Sequence, residues 1–369
     1  WDNGLMGTGQ IVGHMDSAIQ RFHCSFADAS VNNVPGPTHR KLLAYNQGFG
    51  AASHGSHTAG TIAGDGLNTG DTRGVAYLAK IVHHGIPNDS STGTTFKARL
   101  DLHHSQGARV HTNSWGQDFT TAYTGWTRAV DLFSREQEES MVAFAITNAS
   151  SAFYTPENAK NGLAVSGHSD NAGINSWCTG GRGPTADGRF KPDILAPGCS
   201  IQSANTTTGC TTNTSTGTSM ACPHATGTAA LIRQYFTDGY YPTGVSGANS
   251  SVIPSGALLR AVITNGGQDM TNVSEQMALG AGGFSAYPNN REGWGRILAD
   301  NGLYFPGDAR RLVVRDVRNA SAESLTTGQT WELEFDVNSS GEQLRVTMAF
   351  TDLAASIGSS FAPINNIDL

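Results

Sequence analysis

The sequence predicts an α/β protein in which a parallel sheet carries helices on both faces. Between residues 79 and 166, short apolar segments of strand length alternate with longer amphipathic segments, as in parallel sheets. Glycine supplies 45 of the 369 residues, against a usual share of about 7%, and charged residues make up 14%. Both numbers fit a compact chain rich in turns.

The period of the apolar residues assigns the elements. Strands are predicted over residues 10–17, 79–83, 108–113, 141–147 and 163–166, and helices over residues 53–64, 95–106, 123–139, 219–236 and 255–265. From about residue 307, segments 311–317, 330–337 and 343–351 alternate apolar and polar side chains, which predicts an antiparallel β module.

We therefore expect two domains, an α/β domain over residues 1–305 and a jelly-roll-like β module over residues 306–369. A module of three or four strands that ended at residue 369 would leave an unpaired edge. We expect it to be the N-terminal part of a larger β-sandwich or barrel. Because the chain opens at Trp1 without a signal peptide, we also expect a mature or excised chain.

Charge and hydropathy argue against two classes of partner. The net charge is −7, whereas nucleic-acid binding needs clustered Lys and Arg. No apolar run reaches the roughly 18 residues of a membrane span. The five cysteines are an odd count, and Cys199 and Cys210, which bracket a polar loop, are the predicted disulfide pair. Frequent Asn-x-Ser/Thr sequences also favour an extracellular or secretory location.

Ser219 lies in the sequence GTSMACPH, residues 217–224, at the start of a small-residue helix. The first turn of a helix gathers unpaired N–H groups, which suits a nucleophile whose attack creates an oxyanion. The alternative is a serine that only caps the helix. Asp16 ends the first strand, where the ligand crevice of a parallel sheet lies. The alternative for Asp16 is a turn residue.

His54 opens the predicted helix of residues 53–64, and His57 follows one turn later. Two histidines on one helix face can bind zinc, but the metalloprotease pattern needs His at i and i+4 with an adjoining Glu, which is absent. We therefore favour His54 as a general base with His57 packed beside it. The paired histidines at 83–84 and 103–104 are expected at the surface, without a function.

The order Asp16, His54, Ser219 is the order of the triad in subtilisin. The sequences DSAI at residues 16–19, HGSHTAGT at 54–61 and GTSMACPH at 217–224 resemble those of the subtilases, and the resemblance runs over most of residues 1–305. The chain looks most like the alkaline bacterial-type subtilases with a C-terminal β-barrel. The stretches that point to this group are 111–116, 182–198, 292–296 and 366–369.

The resemblance implies that the Ser219 hydroxyl attacks a peptide carbonyl, His54 takes its proton and Asp16 orients the imidazole. Asn148 matches the oxyanion-stabilising asparagine of the family. The segment that pairs with an extended substrate is Ser114, Trp115 and Gly116.

Thr147 stands beside the expected specificity pocket, where the family has a glycine. We expect a shallower pocket that disfavours large aromatic side chains.

The function implied is that of a secreted serine endopeptidase, monomeric, with polypeptide substrates and no required cofactor. A structural calcium ion is common in the family, but no run of acidic residues identifies its ligands. The alternatives are a catalytically impaired, polypeptide-binding subtilase, a tripeptidyl exopeptidase on the same fold, and an adhesive protein whose β module is the functional part.

Overall fold

The computed structural model describes residues 1–66, 72–87, 93–149, 152–169, 177–270 and 287–369. Its main sheet has eight strands in the described chain: β1 Ile11–Met15, β2 Leu42–Tyr45, β3 Lys80–His84, β4 Val110–Asn113, β5 Met141–Ala145, β6 Leu163–Ser169, β7 Trp177–Thr179 and β8 Ile194–Cys199. The order is β2-β3-β1-β4-β5-β6-β7, with β8 also beside β6. Every pairing is parallel except that of β7 with β6.

The helices are α1 Ser53–Ala63, α2 Thr94–Ser105, α3 Gly125–Glu136, α4 Thr218–Thr237, α5 Gly256–Asn265 and a short α6 Ala299–Gly302. A 3₁₀ turn spans Ala29–Val31, and β9 Ile201–Ala204 forms an antiparallel hairpin with β10 Thr212–Ser215. The bounds of β1, β3 to β6 and α1 to α5 lie within a few residues of the predicted elements, while β2, β7, β8 and the hairpin were not predicted.

Alternating strand residues build the two cores. Ala143 of β5 packs into the core beneath α1, α4 and α5, whereas its neighbours Val142 and Phe144 pack against α2 and α3. Successive side chains of a strand point to opposite faces, so a buried strand reads as one apolar run. The predicted α/β fold with helices on both faces is therefore confirmed.

Besides the pairing of β7 with β6, the antiparallel component of the described fold is the β9–β10 hairpin. The predicted strands at 311–317, 330–337 and 343–351 run without ladder partners, and apolar side chains such as Leu333 and Phe335 are about half exposed. An alternating pattern defines the apolar face of a strand but not the strand that pairs with it. The boundary between residues 1–305 and 306–369 stays a prediction.

The predicted Cys199–Cys210 disulfide is wrong. Cys199 at the end of β8 pairs with Cys178 of β7, with 6.4 Å between the Cα atoms, and Cys210 pairs with Cys24, at 5.1 Å. Both pairings follow from tertiary neighbours. Gly167 of β6 lies between β7 and β8 without a side chain to separate them. The backbone N–H of Cys24 donates to the carbonyl of residue 209, which brings Cys210 alongside.

The two disulfides leave one cysteine as a free thiol, Cys222. Its side chain is fully buried, and burial raises its pKa. Iodoacetamide should label no cysteine in the native protein and one after unfolding without reduction, because alkylation needs an accessible thiolate. Mass spectrometry of a non-reduced digest should link the peptides containing Cys24 and Cys210. A peptide joining Cys199 to Cys210 would contradict the assignment.

Candidate active site

Asp16 follows the carboxyl end of the central strand β1 and is only 1% exposed. Its Oδ1 accepts hydrogen bonds from Ser17 N at 2.6 Å and His54 Nδ1 at 2.8 Å, and its Oδ2 accepts one from Thr58 Oγ1 at 3.1 Å. Burial raises the pKa of Asp16, but the hydrogen bond and charge of His54 and the hydrogen bond from Ser17 N outweigh it. The pKa lies below its ordinary value, so Asp16 is held as an anion.

His54 lies in the first turn of α1, and its side chain is 43% exposed. A Cβ on Gly55 would collide with the carbonyl of Ser17, so glycine at position 55 lets α1 approach the end of β1. The hydrogen bond to Asp16 raises the pKa of His54 above its ordinary value, although burial works against the rise. Nδ1 is committed to Asp16, which leaves Nε2 for a second partner.

Ser219 lies in the first turn of α4, whose sixth residue is Pro223. Proline has no N–H to donate to the carbonyl four residues earlier, which here is that of Ser219. The Ser114 hydroxyl takes over this role and donates to Ser219 O at 2.9 Å, while Ser219 Oγ donates to Ser114 O at 3.4 Å. The predicted nucleophile and the predicted substrate segment are thus tied together.

Asn148 lies beside this turn. Its Oδ1 accepts from Thr218 N at 2.9 Å and from Thr179 Oγ1 at 3.1 Å. These bonds orient the amide and leave its Nδ2 group, which lies next to Gly217, as a donor. The sequence-based assignment of Asn148 as an oxyanion donor is consistent with this orientation.

Not every predicted contact is present. Asp16 and His54 are hydrogen-bonded, but no hydrogen bond joins His54 to Ser219, both of which belong to the described residues. Catalytic hydrogen bonds in free enzymes are often long and tighten only with substrate. The helices that carry the two residues, α1 and α4, do pack against each other.

The predicted substrate-binding residues differ in the direction of their side chains. Trp115 turns its ring inward against Phe96, Trp126 and Phe144, while Gly116 is exposed. Thr147 is buried, and its methyl group lies against Gly181.

The predicted neighbour of the site, His57, bonds through Nε2 to Ile201 O at 3.0 Å. Among the described residues no three or more His, Cys, Asp or Glu side chains lie close enough together to hold a metal ion, and the structural calcium ion stays a prediction.

Behind Asp16, the structure shows a chain of hydrogen bonds that sequence reasoning missed. Thr58 Oγ1 lies 2.9 Å from His14 Nε2, and His14 Nδ1 lies 2.8 Å from His83 Nδ1. His83 Nε2 in turn lies 2.6 Å from Gln47 Nε2. His14 and His83 are register partners on β1 and β3 and are fully buried. The expectation of surface positions is therefore wrong for His83, and it is also wrong for the buried His103.

The number of protons on the histidine rings determines which group donates in each hydrogen bond of this chain. Burial lowers the pKa of His14 to about 4 and that of His83 well below 6.5, so each ring is neutral and carries one N–H. If Thr58 donates to the Asp16 anion, it must accept from His14 Nε2–H. His14 Nδ1 then accepts from His83, and His83 Nε2 accepts from Gln47. Every donor in the chain points toward the carboxylate.

Two features of the structure bear on the class of protein: the parallel sheet and the carboxylate–imidazole pair at its carboxyl edge. A model of the subtilase family matches residues 7–295, and the chain belongs to this family, a family of serine proteases. No helix among the described residues combines the length and the apolar character needed to cross a membrane.

Curated relatives include the serine protease/ABC transporter B family protein tagD of Dictyostelium discoideum, 26% identical over 511 residues. That alignment covers 100% of this chain and 28% of the relative, so the chain spans less than a third of the relative's length. The extracellular serine proteinase of Thermus sp. is 31% identical over 230 residues, which cover 60% of this chain and 49% of the relative.

Solved structures agree in fold. The prenylagaramide maturation protease PagA superposes with a TM-score of 0.59 at 17% identity, covering 82% of this chain and 95% of that one. The patellamide maturation protease PatA superposes with a TM-score of 0.55 at 19% identity, covering 80% and 96%.

The hydrogen-bond chain behind Asp16 predicts the effect of replacing Thr58. Thr58→Val removes the donor that, with Ser17 N, fixes the Asp16 carboxylate against His54. The imidazole is then less well oriented, and we expect kcat to fall by about tenfold. With one donor fewer, Asp16 becomes a stronger acceptor for His54, so the acid limb of kcat/KM should move to higher pH.

The matched control is Thr58→Ser, which keeps the hydroxyl and should retain both kcat and the acid limb. Loss of side-chain packing alone would lower the melting temperature without moving the pH profile. Wild-type values of kcat and of the acid limb in a folded Thr58→Val protein would contradict a role for this chain.

Proposed function

We propose that the protein is a secreted serine endopeptidase that cleaves polypeptides through Asp16, His54 and Ser219. The observation that carries the proposal is the hydrogen bond between the buried Asp16 anion and His54 Nδ1, at 2.8 Å. A carboxylate in that position fixes the tautomer in which Nε2 carries the lone pair, and it stabilises the imidazolium that forms during the reaction.

In the proposed mechanism the Ser219 hydroxyl leaves Ser114 O and donates its proton to His54 Nε2. Ser219 Oγ then bonds to the substrate carbonyl carbon, and the oxyanion accepts hydrogen bonds from Asn148 Nδ2 and Ser219 N. His54 returns the proton to the leaving amine, which breaks the peptide bond and leaves an acyl-enzyme. Water then loses a proton to His54 and attacks the acyl carbon. The bond between that carbon and Ser219 Oγ breaks, His54 returns the proton to Oγ, and the acid is released.

The proposed substrate is a flexible polypeptide that pairs its main chain with Ser114, Trp115 and Gly116 as an added strand. The exposure of Gly116 supports this pairing. Secretion is supported by the extracellular Thermus relative and by the disulfides, which persist in oxidising compartments. We propose a monomer, without nucleic-acid or membrane partners for residues 1–369.

A second candidate is a catalytically impaired, polypeptide-binding subtilase. The observation that favours it is the bond between Ser219 Oγ and Ser114 O in place of one to His54.

Activity measurements separate these candidates. Casein incubated with the wild type should yield peptides cut at internal positions, and Ser219→Ala should lower kcat by about 10⁶-fold, too slow to yield peptides in the same incubation. A fluorophosphonate probe should label wild-type Ser219. Without labelling and cleavage the binding candidate would stand. Products of uniform tripeptide length would instead indicate the exopeptidase.

The raised pKa of His54 predicts the pH dependence. His54 accepts the Ser219 proton only when it is neutral, so kcat/KM should rise with pH through the His54 pKa, with a midpoint above 6.5. Asp16→Asn removes the cause of the rise, so NMR titration of the ring should show a lower His54 pKa in that variant. An acid limb below pH 6.5 in the wild type would count against His54 as the base.

A further inference from the structure

Glu157 is a buried carboxylate that the proposed mechanism does not use. It is 3% exposed, and its Oε1 accepts hydrogen bonds from Thr147 N at 2.9 Å and Tyr154 N at 3.0 Å. Within the described part of the chain, Oε2 accepts none. Oε2 faces Gly116, because a Cβ on Gly116 would lie 3.2 Å from it. The free oxygen thus lies between two predicted substrate-binding segments: that of Gly116, expected to pair with the substrate main chain, and that of Thr147, beside the expected specificity pocket.

Two other buried carboxylates, those of Asp131 and Glu292, have hydrogen bonds on both oxygens. Asp131 accepts from Asn161 N at 2.8 Å on one oxygen and from the Tyr123 hydroxyl at 2.7 Å on the other. Glu292 likewise uses both oxygens, which accept from Asn289 Nδ2 at 2.5 Å and Met270 N at 2.8 Å. Glu157 differs from both because its two hydrogen bonds fall on a single oxygen.

No Lys, Arg or His of the described residues forms an ion pair with Glu157. Burial raises its pKa to about 7 against the two backbone donors, and the negative charge of Asp118 adds to the rise. Asp118 is exposed, two residues beyond Gly116. Two acids without a basic neighbour create a negative potential, and a buried carboxylate gains most from a cation that reaches its free oxygen.

We propose that Glu157, assisted by Asp118, makes the specificity pocket select substrates with lysine or arginine immediately before the scissile bond. An ammonium or guanidinium group reaching Oε2 would donate the hydrogen bond that this oxygen lacks and neutralise its charge. The inference rests on the proposed endopeptidase function. Glu157 acts in it as a specificity residue through direct contact with substrate.

The test uses fluorogenic peptides that differ only in the residue before the scissile bond: Lys, Arg, Leu or Phe. At pH 8 we expect kcat/KM for Lys and Arg to exceed that for Leu by about tenfold or more, the range that one satisfied buried polar contact supplies. In Glu157→Gln the Lys-to-Leu ratio should fall by about tenfold, since Gln keeps a carbonyl oxygen for Thr147 N and Tyr154 N but carries no charge.

The matched control is Glu292→Gln, which neutralises a buried carboxylate whose pKa is also about 7 but whose oxygens are both occupied. Its Lys-to-Leu ratio should equal that of the wild type. Asp118→Asn, an exposed change, should lower the ratio by a smaller factor. Fluorophosphonate labelling of Ser219 shows that each variant retains its active site.

The pH dependence of the Lys-to-Leu ratio gives an independent test of the role of Glu157. Below pH 7 Glu157 is protonated and neutral, so the wild-type Lys-to-Leu ratio should rise between pH 6 and 8, while that of Glu157→Gln should stay flat. Taking the ratio removes the His54 titration, which affects both peptides alike. Asp118 is the charged group of the described chain whose field acts on Glu157 in this range.

If Glu157→Gln does not fold, a protection experiment on the wild type still tests the inference. Butylamine, which carries a cation on a narrow alkyl chain, should slow fluorophosphonate labelling of Ser219 more than 1-butanol does at the same concentration. Equal protection, equal or better cleavage of Leu and Phe peptides, or an unchanged ratio in folded Glu157→Gln would overturn the inference while leaving the endopeptidase in place. A wild type that cleaves no peptide and takes no label would overturn the proposed function, and this inference with it.

Discussion

The site depends on one buried anion, the carboxylate of Asp16 at the end of the central strand. An ionised carboxylate removed from water is tolerated only where hydrogen-bond donors replace the lost hydration. Here the donors come from three directions: the following residue Ser17, the first turn of α1 through His54, and the body of α1 through Thr58. The position of α1 against β1 is therefore coupled to the charge, and the same contacts orient the imidazole.

A second constraint fixes the other half of the site, the start of α4. Pro223 leaves the Ser219 carbonyl without its helical partner, and the Ser114 hydroxyl replaces that partner. The helix start is thus anchored to the loop after β4, while Asn148 anchors it to the loop after β5 through Thr218 N. Small residues of α1 and α4, such as Ala59 and Ala225, pack in one core and hold the two halves together.

The sequence predicted the elements and motifs that depend on neighbouring residues. It missed the contacts that depend on partners far along the chain. The period of apolar residues predicted β1, β3 to β6 and α1 to α5 but not the other strands, and short motifs singled out Asp16, His54 and Ser219. His83 was misplaced because an imidazole in a core strand needs a polar partner, and its partner His14 lies 69 residues away. The disulfide prediction for Cys210 was wrong for the same reason, since its partner Cys24 lies 186 residues away. Glu157 carries no local signal at all.

Two buried carboxylates, those of Asp16 and Glu157, show how surroundings separate chemical properties on one scaffold. Asp16 has donors on both oxygens and a cationic partner in reach, which lowers its pKa and keeps it charged before substrate arrives. Glu157 has donors on one oxygen and a second acid nearby, which leaves its pKa near 7 and its charge incompletely compensated. Groups whose environments push their pKa values apart are suited to different tasks. A carboxylate satisfied by the fold orients a catalytic group, whereas one left half satisfied favours a ligand that completes it.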